Sequence, residues 1–248
     1  DLLHQAAAVT APSEFMRQEM SAYRSDLQLL PNAIDLARYP FRLRRNLRPQ
    51  LAWLRAFHKI YNPSLAVRVV AALAGEFPEL RLTMIGPDQR DGSWERTRRA
   101  IAELKLPSHI ACPGSVPKLD VPEWLSRGDL FINTSNVDNM PVSVIEAMAC
   151  GLGVVSTNVG GLPNLLTHEH DALLVPPGSV PAMAAAVRRL LREPDLAETL
   201  SANARHKAET FDWGIVLREW ENLIDRILRR RASATHPAPP LAPRRVDP

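Results

Sequence analysis

Six short apolar runs, near 51–55, 81–85, 109–112, 129–133, 153–157 and 172–175, alternate with helix-forming stretches, and this alternation leaves few folds open. Each run has strand length, and the helices between them supply the crossovers that parallel strands require. The expected class is α/β: a Rossmann-like, doubly wound parallel sheet with helices on both faces.

The clearest unit spans residues 128–166, GDLFINTSNVDNMPVSVIEAMACGLGVVSTNVGGLPNLL. Leu130-Phe131-Ile132 reads as a buried parallel strand, Thr134 to Asn139 as a polar loop, and about Pro141 to Cys150 as a helix. Pro141 suits a first helical turn and Gly151 a helix C-terminus. Val154-Val155 begins the next strand. The loop therefore lies at the carboxyl end of a strand, where open α/β sheets bind ligands.

Two acids stand out in this unit. Glu146 is the only charge in PVSVIEAMACG, so it either faces solvent or holds a partner, because an unpaired buried carboxylate is costly. A carboxylate can accept hydrogen bonds from both hydroxyls of a ribose. Asp138 lies eight positions earlier, on the loop ahead of the helix. The backbone N–H groups near Asn139, Met140, Pro141 and Val142 would direct the positive helix end at a phosphate. For isolated acids, a surface Glu and a helix-capping Asp would be the plainer reading.

The stretch resembles the nucleotide-sugar motif of retaining glycosyltransferases related to sucrose synthase and bacterial mannosyltransferases, the group 1 family of the GT-B fold. That motif pairs two acids with seven residues between them, the second within EAMACG, followed by a Gly-Gly turn. Glu146-Ala147-Met148-Ala149-Cys150-Gly151 and Val159-Gly160-Gly161 match it. Asp138 stands for the usual first Glu, Asn139-Met140-Pro141 for Gly-Phe-Gly, and Asn164 where a third Glu is usual. The resemblance implies one half of a GT-B fold, the donor-binding half. It assigns Glu146 to the ribose and Asp138 to the sugar hydroxyls. Asn139 to Val142 would hold the diphosphate and sugar, and Ile110 would lie near the base.

The resemblance also implies that Arg55, just after the strand at 51–54, and Lys59 grip the donor diphosphate; Ile60 stands nearer the usual place of the lysine. Two fixed cations would neutralise charge on a departing diphosphate. Gly86, closing the strand at 80–85, lets backbone approach a ligand, and a simple turn explains it equally well.

Residues 1–30, with a weak strand at 6–10 and a helix capped by Ser13, are expected to be the remnant of an N-terminal acceptor domain. Pro31-Asn32-Ala33-Ile34-Asp35 resembles the family's interdomain turn, so 31–50 reads as a linker, its basic Arg42–Gln50 part as a solvated run. Residues 51–212 would form the nucleotide-sugar domain. A final helix, 213–231, carries Ile215, Trp220, Leu223, Ile224 and Ile227 on one stripe and is expected to pack on the absent domain. With Arg226 and Arg229-Arg230-Arg231 it could instead touch a membrane surface. Residues 232–248, rich in Pro, Ala and Arg, are expected to be disordered.

Composition narrows the alternatives. A net charge of +3 suits anionic ligands and is no nucleic-acid signature, and no recognition-helix, zinc-finger or RNA-binding motif accompanies it. Cys112 and Cys150 lack metal spacing and read as reduced core thiols, as expected of a cytoplasmic protein. No apolar run reaches membrane-spanning length. His168-Glu169-His170-Asp171 is not the HExxH of a helix-borne zinc site, and a solvated loop is expected. There is no GxGxxG after the first strand, no Walker A motif and no metal-carrying DxD pair. The expected function is donor binding for a metal-independent transfer of sugar to an acceptor hydroxyl, with no cofactor beyond the nucleotide-diphosphate sugar itself. The fragment alone is expected to turn over little. The competing readings are an interaction module without activity and a nucleotide-sugar epimerase of the same fold.

Overall fold

The computed structural model describes residues 2–235. The main sheet has six strands: β3 (Gln50–Leu54), β4 (Arg81–Ile85), β5 (Ile110–Gly114), β6 (Leu130–Asn133), β7 (Gly153–Thr157) and β8 (Leu173–Val175). They are all parallel, in the order β5-β4-β3-β6-β7-β8. Each falls within one or two residues of the apolar run that announced it. The order reverses between β3 and β6, and a ligand crevice opens outside the carboxyl ends at such a switch point.

Strand side chains alternate between two cores. Leu51, Trp53, Leu82, Met84, Leu130, Ile132 and Val155 face one side, packed under α3 (Pro63–Leu73), α4 (Ser93–Glu103) and α8 (Val180–Arg192). Ala52, Phe131 and Val154 face the other, under α5 (Val121–Ser126), α6 (Val142–Ala149) and α9 (Pro194–Glu209). The result is a three-layer sandwich, the arrangement that buries both faces of a parallel sheet.

Residues 2–30 form a small separate layer. α1 (Leu2–Gln5) precedes β1 (Thr10–Ala11), which pairs in parallel with β2 (Gln28–Leu29). Between them lies α2 (Glu14–Met20), capped by the Ser13 side chain accepting from Met16 N at 3.1 Å. A one-turn helix, α7 (Leu162–Leu165), follows the Gly160-Gly161 turn and was not foreseen.

The basic stretch after Pro40 departs from expectation. Arg44 is 2% exposed, and Arg42, Arg44 and Arg48 converge on the carboxylate of Asp129, which is fully buried ahead of β6. A buried acid needs countercharge, and these arginines supply it across about eighty residues of chain. The stretch is thus a strut, not a solvated run. Nothing local in the sequence links it to Asp129.

The final helix, α10, runs Trp213–Thr235, longer than expected. The apolar stripe divides. Val216 and Leu223 are buried, whereas Trp213, Leu217, Trp220, Ile224 and Leu228 are exposed along one face. Arg226 donates to Gln28 Oε1 at 2.6 Å, which ties α10 to β2. No described helix is long and apolar enough to cross a membrane. Residues 232–235, expected to begin a disordered tail, instead continue α10, and the rest of that expected tail, 236–248, lies outside the described residues.

Candidate nucleotide-sugar site

The switch point between β3 and β6 brings together acids and a cation that lie far apart in sequence. Arg55 follows β3, and its Nη2 is bound to Asp138 Oδ2 on the β6–α6 loop. The guanidinium also stacks over the Tyr61 ring, 4.4 Å from its centroid. Asp138 further accepts from Ser135 Oγ at 2.8 Å and from Asn139 N at 3.0 Å. Without a ligand, the acid expected to meet sugar hydroxyls is therefore occupied by protein donors. Arg55 Nε is buried with no partner among the described residues.

Contacts from both sides hold this loop in place. Thr134 Oγ1 accepts from Trp53 Nε1 at 2.9 Å and donates to Tyr61 O at 2.7 Å. The Gly160-Gly161 turn presses on its far side. A Cβ at Gly160, where φ is +54°, would stand 2.0 Å from Asp138 O, and one at Gly161 would stand 2.2 Å from Asn139 O. Gly161 N donates to Asp138 O at 3.1 Å. The glycines are thus needed for backbone packing behind the loop.

α6 starts at Val142, with Pro141 as its N-cap, one residue later than the sequence suggests. Pro141 has no N–H, and Asn139 N is taken by Asp138, so the amides open at this helix start belong to Val142 and Ser143. Ser143 Oγ is buried and lacks a partner among the described residues. Met140 O accepts from Asn32 Nδ2 at 2.8 Å, and Asn139 Oδ1 is held by Ser13 Oγ. These two bonds attach the Pro31–Asp35 turn and the amino-terminal layer to the loop.

Glu146 sits one turn deeper on α6 and is 2% exposed. Of the two alternatives open in the sequence, it holds a partner. Tyr39 Oη donates to its Oε1 at 2.6 Å, and Lys118 Nζ meets the same oxygen. Tyr39 is itself buried, and burial together with the adjacent carboxylate pushes its phenol well above the ordinary value. Neither Tyr39 nor Lys118 carries a local signal of this role. The nearest hint is that Tyr39 closely follows the Pro31–Asp35 turn.

The remaining expected contacts divide. Gly86, with φ of +148°, is required because a Cβ there would lie 1.9 Å from Arg55 O; it also lines a cavity of about 290 Å3. That cavity, at the carboxyl ends of β3, β4 and β5, is walled by Phe57, Trp94, Gly114 and Ser115 as well. Ile110 opens β5 at its amino end, away from the crevice, whereas Gly114 and Ser115 at the carboxyl end line this cavity. Lys59 is exposed on a 3-10 turn, its backbone N donating to Asp91 Oδ2 at 2.8 Å. The side chains of 168–171 are spent locally: His168 Nδ1 accepts from Leu174 N, and Asp171 is paired with Lys207.

The chain is 23% identical over 233 residues to the D-inositol 3-phosphate glycosyltransferase of Jonesia denitrificans, covering 86% of this chain and 55% of that protein. It is 33% identical over 138 residues to the amylovoran biosynthesis glycosyltransferase AmsK of Erwinia amylovora, covering 52% of this chain and 34% of that one. It thus spans about half or less of these relatives. Among solved structures, sucrose-phosphate synthase from Thermosynechococcus elongatus superposes with a TM-score of 0.80 at 23% identity, over 92% of this chain and 60% of that one. Anabaena HepE, in complex with UDP and glucose, gives 0.81 at 18% identity, over 90% and 64%. These likenesses establish the shared fold. The family model "Glycosyl transferases group 1" matches residues 43–207, from the arginine strut through β8 and most of α9, and so takes in both acids, Arg55 and the Gly-Gly turn. On that match, the chain belongs to the glycosyl transferases group 1 family.

Proposed function

We propose that this chain is the donor-binding part of a retaining glycosyltransferase that moves a sugar from a nucleotide-diphosphate sugar to an acceptor hydroxyl. One observation carries the reading. Arg55 Nε and Ser143 Oγ are buried without partners among the described residues; Arg55 is bound to Asp138 on the loop that leads into α6, and Ser143 lies in the first turn of that helix. Phosphate oxygens would satisfy both, along with the free amides of Val142 and Ser143.

Each other part then has a role. Glu146 accepts the ribose hydroxyls, and the cavity walled by Phe57, Trp94 and Gly114 receives the base. Arg55 turns from Asp138 toward the diphosphate as the donor enters, which frees the Asp138 carboxylate for sugar hydroxyls. Lys59 and the backbone from Asn139 to Val142 border the same path. A guanidinium and oriented amides would balance the charge of the leaving diphosphate, so the transfer needs no metal. UDP in HepE is a nucleoside diphosphate of the class this site would accept.

The acceptor is bound by a further part of a longer polypeptide, for which residues 1–30 are the edge and 31–50 the passage between domains. The exposed face of α10 would pack on that part. The test is sugar transfer by the longer polypeptide from a panel of UDP- and GDP-sugars in excess chelator, with the product anomer read by NMR. The reading requires transfer with retention, and Arg55→Ala should lower kcat by about 10²-fold or more. Transfer abolished by chelator, or an inverted anomer, would overturn the corresponding part of the mechanism.

A further inference from the structure

Lys118 contacts Glu146 in a way the nucleotide reading does not use. Two donors converge on the same carboxylate oxygen, Oε1, and they differ in every other respect. Tyr39 is buried and anchored: its N donates to Leu36 O at 3.1 Å, and its own carbonyl accepts from Arg205 Nη1 at 3.2 Å. Lys118 lies on the connection between β5 and α5, and its side chain is 67% exposed although Glu146 beneath it is 2% exposed. One donor is a fixed support; the other reaches in from solvent. A cavity of about 160 Å3 is bordered by Tyr39, Lys118 and Val142, so there is open space between the Glu146 donors and the start of α6.

We propose that Lys118 is a displaceable plug on Glu146: its ammonium neutralises the buried carboxylate while the site is empty, and ribose hydroxyls replace it on binding while Tyr39 stays in place. This rests on Glu146 being the ribose acceptor. The physical requirement is general. A carboxylate withdrawn from water needs a donor or a countercharge at all times, and a ligand can claim it only if one existing partner leaves at small cost. An exposed lysine meets that condition, because water receives its ammonium when it leaves. The buried tyrosine does not.

The test is calorimetric titration of the 248-residue chain with UDP, GDP and ADP, in parallel with Lys118→Met, Lys118→Arg, Tyr39→Phe and Glu146→Gln. Removing an exposed partner of this kind should tighten the best-bound nucleotide about three- to fivefold in Lys118→Met, with Lys118→Arg returning toward wild type. The 2′,3′-dideoxy analogue of that nucleotide should gain nothing from Lys118→Met, since it has no hydroxyls to replace the lysine. Tyr39→Phe should weaken binding about tenfold through loss of a hydrogen bond to a charged group.

Equal or weaker nucleotide binding by Lys118→Met, with Glu146→Gln still impaired, overturns the plug and leaves the ribose reading standing. Undiminished binding by Glu146→Gln overturns the ribose reading, and the plug with it. The empty state is read separately by nitrogen-15 NMR of the lysine ammonium groups. Slowed proton exchange at Lys118 that is lost in Glu146→Gln supports the plug, and its absence in wild type overturns it whether or not nucleotide binds.

Discussion

Asp129 is the acid on which Arg42, Arg44 and Arg48 converge. Its carboxylate is fully buried; Arg48 donates to it from backbone and side chain, and Arg42 pairs with the other oxygen. Burial alone would raise its pKa, but these donors hold it at about 2. A depressed folded pKa stabilises the fold fully above the unfolded value of about 3.9, and that contribution fades as pH falls through the folded value. Denaturant titrations between pH 7 and 2 should therefore show stability lost between about pH 4 and 2 in wild type, and no such step from this site in Asp129→Asn. At neutral pH the substitution leaves Arg44 buried without its countercharge and should cost about 3–5 kcal/mol. At this scale the sequence was partly readable. Glu146 and Arg55 were picked out by the family motif they match, since a lone acid on a helix or a lone cation after a strand reads more plainly as a surface or structural group. Tyr39, Lys118 and Ser135 were not, because each acts through a partner whose position only the folded chain defines.

The elements were legible where local chemistry marks their ends. Ser13 and Ser179 cap α2 and α8 with their side chains, and Gly151, at φ of +73°, ends α6. The 3-10 turns at Leu36–Arg38 and Lys59–Tyr61 escaped notice, since one turn leaves no periodicity to read. The Gly160-Gly161 turn was legible as a motif but not as a mechanism. Its function is to let β7 carry the chain against the Asp138–Asn139 backbone. Gly160→Ala forces a Cβ into Asp138 O and a left-handed φ on alanine, so it should displace the loop. We expect nucleotide binding to fall at least tenfold, for a stability loss of about 1–3 kcal/mol measured by denaturant unfolding. Wild-type affinity in a folded Gly160→Ala chain would show that the turn does not position the loop.

At the scale of the whole molecule, a six-stranded parallel sheet places Arg55, Asp138 and the start of α6 at its switch point, with Glu146 one turn along that helix. Strand order was foreseeable only as a class, because neighbours such as β3 and β6 are about eighty residues apart and their pairing leaves no local trace. The exposed face of α10 belongs to this scale as well. Leu217→Glu with Ile224→Glu should change the stability of this chain by no more than about 0.5 kcal/mol per substitution, because both residues lie on the exposed face of the helix. The same pair should destabilise the longer polypeptide if that face packs on its remaining part, and equal melting temperatures there would refute the packing. The central claim, a metal-independent nucleoside diphosphate site that depends on Glu146, is tested most directly by titrating this chain with UDP, GDP and ADP in excess chelator. Saturable binding of one diphosphate, lost or reduced at least tenfold in Glu146→Gln, is the expected result. Binding that requires added metal, or that survives Glu146→Gln unchanged, would contradict it.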